Sequence, residues 1–255
     1  MRCRVIPCLL LAEGGLFKTQ RFAKPSYVGD PVNAIRIFNE KEVDELMVLD
    51  ISASKLGKGP DFEMVEQIAG ECFMPLCYGG GVRSVEDARR IFALGVEKVC
   101  LQEAALQDLS IISGIAELFG SQSVMVSCDV RRTWLGACRV RSATTGKDTP
   151  VEWRQFIVDA ARAGAGEILL TAVDREGTMS GMDLELIREG SAAIPVPLVA
   201  AGGVGSLADI RSAVDAGASA VGVGAYFVYH GPRRAVLITY PRPGELRELF
   251  PEEDR

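Results

Sequence analysis

Histidine is almost missing from this chain: His230 is the single one among 255 residues. That scarcity leaves no imidazole cluster for a metal site, so acid–base chemistry must fall on carboxylates and lysines. His230 follows the apolar AYFVY and reads as a strand-end or helix-start residue rather than a catalyst. Close cysteine pairs are missing as well. Cys3/Cys8 and Cys72/Cys77 lack the CxxC spacing of a zinc site. Cys8, Cys77, Cys100 and Cys128 stand inside apolar runs, where cysteine acts as a small buried hydrophobe, and none has a nearby base. No disulfide, metal or cofactor is expected. No run of eighteen apolar residues exists, and the strand-like RCRVIPCLLL at the start lacks the pattern of a cleavable leader. A positive excess is absent too: the net charge is −6 and the pI about 5.1, which argues against nucleic acid or an acidic membrane as partner. The expectation is a soluble, cytoplasmic protein.

What the chain does have is a regular alternation. Strand-like runs fall at 4–11, 45–51, 74–78, 98–102, 124–129, 167–171, 198–201 and 220–224, with helical periodicity at 31–41, 62–70, 84–94, 109–119, 151–163, 183–189 and 207–216. Helix starts are marked by Asp30-Pro31, by Ser84 with Asp87 and by Ser206 with Asp209. The strand runs are nearly all apolar, as when both faces of a sheet are covered. Eight such units predict an α/β fold of the (β/α)8 TIM-barrel type, with a doubly wound open sheet as the alternative. A shift of 122 residues lays GGGVRSVEDARRIFALGVEKV (79–99) on AGGVGSLADIRSAVDAGASAV (201–221), and a shift of 119 lays Leu10 on Asp129. With no linker between them, the copies read as half-barrels, 1–122 and 123–241, of one domain with a C-terminal tail over 242–255.

Three groups of residues carry candidate chemistry. Gly-Gly turns after a strand free backbone N–H groups for a phosphate; the candidates are Gly80-Gly81 with Gln102-Glu103, and Gly202-Gly203 with Gly224-Ala225. Glu103 sets a negative charge beside the first turn, and the second has none so close. Strand-end carboxylates are Asp50, Asp129, and Asp174 with Glu176, each readable also as a loop cap or arginine partner. Asp129 ends an apolar strand at the expected active face and is the leading acid–base candidate, with Lys18 able to reach the same mouth. At the opposite strand ends stand Arg4, Glu45, Lys98 and Glu167. Their alternating signs suggest a salt-bridged ring closing the barrel floor, although each alone would be an ordinary surface charge.

VIPC, GDPV, DELMVLDISAS, GGGV, FGSQSV, RAGAGEILLTAVDREGT and AGGVG, in this order, resemble the cyclase subunit of imidazole glycerol phosphate synthase. The resemblance implies a glutaminase partner docked under the barrel, whose ammonia passes a charged gate of Arg4, Glu45, Lys98 and Glu167. It also implies a phosphorylated substrate at the top, held near Asp50, Gly80, Gly81, Gly177, Gly202, Gly203, Gly224 and Ala225. Asp129 and Lys18 match catalytic positions of the family. The second catalytic aspartate does not: its place is taken by Leu10. The family's Asn-Thr after strand four is Gln102-Glu103, its loop-six aspartate is Glu176, and its serine before Gly202 is Ala201. GLFKTQRFAKPSYVGDP and FVYHGPRRAVLITYP look like a branch associated with N-acetamidino sugars of bacterial surface polysaccharides, in which ammonia goes to a separate amidotransferase. Two other expectations stand beside this one: a true cyclase in which Glu13 or another carboxylate replaces the missing group, and a non-catalytic scaffold that stimulates the glutaminase.

Overall fold

A computed structural model describes residues 3–134 and 136–250. Eight parallel strands close into a barrel: β1 (Arg4–Ala12), β2 (Leu46–Asp50), β3 (Leu76–Gly79), β4 (Lys98–Leu101), β5 (Val124–Arg132), β6 (Glu167–Ala172), β7 (Leu198–Ala201) and β8 (Ala220–Val223). Closure is direct, with Arg4 to Pro7 of β1 opposite Ala220 to Val223 of β8. This settles the choice between barrel and open sheet. Helices α1 (Pro31–Glu40), α2 (Phe62–Glu71), α3 (Val85–Ala93), α4 (Ser110–Phe119), α5 (Trp153–Arg162), α6 (Leu184–Ala193) and α7 (Leu207–Asp215) connect successive strands, and α8 (Pro243–Leu249) lies in the C-terminal tail. Residues 251–255 of that tail lie outside the described residues. No helix among the described residues is long and apolar enough to cross a membrane.

The strands are apolar on both faces because both are covered. Val5, Leu9 and Leu11 of β1 join the layer under the helices with Ile35, Phe38 and Ile68, while Ile6 faces inward with Met47, Cys77, Cys100, Met125, Leu169, Val199 and Ala220. Each fully buried Val, Leu, Ile, Phe or Met among them stabilises the fold by about 1.5–3 kcal/mol. The helix-start signals work as read. Ser84 Oγ accepts from Asp87 N, and Asp87 accepts from Ser84 N, while Asp30 accepts from Asn33 N ahead of Pro31.

Two segments differ from the sequence reading. The stretch after β1 is a hairpin, Gly15–Gln20 and Ala23–Gly29, whose first strand pairs antiparallel with β1. Phe17 and Tyr27 hold it edge to face with centroids 5.6 Å apart. The stretch after β5 folds back as the strand Cys138–Val140. Both hide in the sequence because none of these strands, buried or exposed, has the continuous apolar run of a barrel strand. The third strand starts at Leu76 rather than 74, because Pro75 has no N–H for the ladder and only its carbonyl is used, by Leu46 N at 2.9 Å.

Candidate functional site

The C-terminal mouth of the barrel encloses a cavity of about 700 Å³. Lys18, Asp50, Gly80, Gly81, Asp129, Gly177, Gly202, Gly203, Gly224 and Ala225 all line it, so strand ends distant in sequence converge there. Leu10 lines it too. Leu10 pairs with Leu49 of β2 and Asp129 with Thr171 of β6, so the two occupy matching registers in their strand pairs.

Asp129 is buried near the end of β5. Its Oδ1 accepts from Ser127 Oγ at 3.1 Å, its Oδ2 accepts from Gln102 Nε2 at 2.5 Å, and Thr171 of β6 stands opposite it in the sheet. Burial dominates and lifts the carboxyl from the ordinary range to about 6. Thr171, Gln102 and Ser127 oppose that rise, and the Glu176 charge adds to it. A proton on this group is therefore exchangeable near neutrality. Gln102 is itself fixed, since its Oε1 accepts from Ala143 N at 2.8 Å.

Lys18 reaches the mouth because the Gly15–Gln20 strand runs alongside β1. Its ammonium is buried against one oxygen of Glu176, and Thr19 Oγ1 donates to the other at 3.1 Å. The Gly-Gly turns are demanded by close approach. Gly80 has φ +116° with the Asp50 carbonyl where a side chain would stand, and Gly202 has φ +94° with the Ala172 carbonyl in the same relation.

Other candidates separate. Asp50 lines the cavity, but its Oδ1 caps the following turn through Ser52 N at 2.8 Å and Ala53 N at 2.9 Å. Asp174 leaves the main cavity altogether; its Oδ2 accepts from Arg132 N at 2.7 Å, as a loop cap. Glu13 sits exposed at the hairpin turn with φ +51° and lines no part of the cavity, so it does not stand in for the acid missing at Leu10. His230 ends a short exposed strand, Tyr229–His230. Cys8 lines the cavity, and burial pushes its thiol up to about 12, which keeps it protonated and unreactive.

At the opposite mouth Arg4, Glu45, Lys98 and Glu167 form a closed ring. Arg4 pairs with both Glu45 and Glu167, and Lys98 Nζ lies 2.9 Å from Glu45 Oε1 and 2.9 Å from Glu167 Oε2. Between ring and cavity runs the apolar inner column, which includes the sulfur atoms of Met47, Cys77, Cys100 and Met125.

Gln102, Thr171 and Ser127 as holders of Asp129 were not read from sequence. Ser127 was within reach, two residues before Asp129 on the same face of one strand. Thr171 and Gln102 come from neighbouring strands and needed the register.

A closed barrel with a cavity at the C-terminal strand ends, lined by apolar side chains and a few convergent charged ones, and with a charged ring at the other end, defines a (β/α)8-barrel protein. The chain belongs to the histidine biosynthesis protein family, which matches residues 4–232. Within it the chain is HisF-like. It is 51% identical over 254 residues to a Pseudomonas aeruginosa protein provisionally named imidazole glycerol phosphate synthase subunit hisF2, covering 96% of this chain and 98% of the relative. Over 257 residues it is 46% identical to a Vibrio vulnificus protein provisionally named subunit hisF3, covering 98% and 97%. With imidazole glycerol phosphate synthase subunit HisF of Exiguobacterium sibiricum it shares 39% over 220 residues, covering 85% and 87%.

Proposed function

We propose that this chain is the ammonia-receiving barrel of a glutamine amidotransferase complex whose product is not an imidazole. In this reading a glutaminase subunit docks on the floor, ammonia passes the ring of Arg4, Glu45, Lys98 and Glu167, and the inner column leads it to the upper cavity. A neutral ammonia molecule suits an apolar, sulfur-containing column, whereas ammonium would be excluded from it. The acceptor is a phosphorylated small molecule, and the product serves N-acetamidino sugar synthesis for a surface polysaccharide, with a separate amidotransferase as a further partner.

One observation carries the departure from ring-closing chemistry: Leu10 occupies the register that matches Asp129 and faces the same cavity. Leucine neither gives nor takes a proton, and losing an essential acid or base costs about 10²–10⁴-fold in rate. The likeness to relatives bearing the suffixed names hisF2 and hisF3 supports a branch apart from the histidine enzyme.

The test supplies the purified chain with ammonium and the family's bisphosphorylated ribulosyl substrate. Imidazole glycerol phosphate formation should lie at least about 100-fold below that of a family member with both aspartates. Equal rates would sink the proposal and return the chain to histidine biosynthesis.

A further inference from the structure

The two Gly-Gly ends of the cavity share a backbone but not a charge. Gln102 (φ −133°, ψ −73°) after β4 and Gly224 (φ −103°, ψ −87°) after β8 take nearly the same conformation ahead of a short helix. Over Gly224 stands the Lys18 ammonium, close enough that a Cβ on that glycine would lie 2.5 Å from Nζ. The carboxylate at this end, Glu176, is compensated by Lys18 on one oxygen and Thr19 on the other.

The other end is built differently. Glu103 occupies the position equivalent to Ala225 and lines the cavity. Among the described residues its hydrogen bonds come from neutral groups, Ser142 Oγ at 2.8 Å and Gln107 Nε2 at 3.5 Å. The nearby cations are engaged or outlying: Arg83 donates to the Lys58 carbonyl, Arg141 pairs with Asp148 at 3.3 Å, and Lys55 is on the exposed rim. A carboxylate without a cationic partner repels a phosphate and accepts hydrogen bonds from hydroxyls.

We infer that the ligand of this cavity is a monophosphate with a hydroxyl-bearing end: its phosphate lies by Lys18 and Gly224, and its hydroxyls meet Glu103 and Ser142. The inference rests on the cavity being the ligand site proposed above, and it changes the substrate class from a bisphosphate to a phosphorylated polyol or sugar.

Titration calorimetry at one fixed, low ionic strength with ribose 5-phosphate and with ribulose 1,5-bisphosphate tests it. The parent should bind the monophosphate about tenfold more tightly than the bisphosphate, against the usual gain from a second charge. Glu103→Gln and, independently, Glu103→Ala should move that ratio about tenfold toward the bisphosphate, and Lys18→Met should weaken both ligands. A parent that prefers the bisphosphate, or a ratio unmoved in both Glu103 variants, overturns the assignment. Failure of both ligands to bind overturns it as well, while glutamine-dependent ammonia delivery in the complex, read separately, tells whether the conduit survives.

Discussion

The two mouths of the barrel use charge in opposite ways. On the floor, Arg4, Glu45, Lys98 and Glu167 each have two partners of opposite sign, so the ring is saturated and leaves nothing over for a substrate. At the top, Asp129 meets only neutral donors, and burial lifts it to about 6. A saturated ring is a closure that must rearrange to pass anything. A desolvated carboxylate among neutral donors is a group ready to exchange a proton. On the function proposed above, the difference assigns the floor to passage of ammonia and the top to chemistry.

Breaking the ring should have the largest effect, on stability and coupling together. Glu167→Ala removes two of its ion pairs and leaves Arg4 and Lys98 competing for Glu45. Leaving these partly buried cations half-paired should cost about 2–3 kcal/mol of stability in urea unfolding, below the full figure for a buried pair because Glu45 still pairs with both, and coupling of glutamine hydrolysis to product should fall with it. A loss below about 1 kcal/mol would mean that the ring is solvated like a surface pair.

The top should respond to pH instead. Because the folded pKa of Asp129 is raised, the folded state holds a proton that the unfolded chain has released between about pH 4 and 6. Stability from this group is thus fully present below about pH 4 and lost as pH rises through about 6, by up to about 3 kcal/mol. Unfolding curves of Asp129→Asn across this range should lack that slope. Leu10→Asp would then restore the second carboxylate; with ammonium and the ribulosyl substrate it should raise ring closure about 100-fold over the parent. No gain would place the loss of cyclase chemistry elsewhere, with Gln102-Glu103 or Glu176 the next positions to revert.

The frame was legible because it rests on local signals. Apolar runs bounded by caps such as Ser84/Asp87, together with the 122-residue repeat, left little room for another fold. The floor ring was legible too, as four strand-initial charges of alternating sign. What holds the top was not. Asp129 could be named from the end of its own strand, but Gln102 and Thr171 reach it across two neighbouring strands, and that depends on register. Asp174 looked equivalent in sequence and turned outward as a cap because a strand end gives no sign of which way the next residues bend. The hairpin that carries Lys18 into the cavity read as loop, since its exposed strand, Ala23–Gly29, has no buried face to set a pattern.

The smallest expected effect concerns Gln102, which is where a holding role and a merely structural one can be told apart. Its Nε2 donates to Asp129 while its Oε1 ties down Ala143 N, so the side chain links the carboxylate to the loop after β5. That donor favours the ionised carboxylate, and its removal must push the Asp129 titration to still higher pH. Gln102→Ala should therefore cost about 1 kcal/mol at pH 8, where Asp129 is charged, and less at pH 4, where it is protonated. A loss equal at both pH values would assign Gln102 to the loop alone. A pH-dependent loss, with the slope restored by Gln102→Asn if the shorter amide still reaches, would assign it to the carboxylate, and would make the floor and the top differ in how charge is held as well as in where it lies.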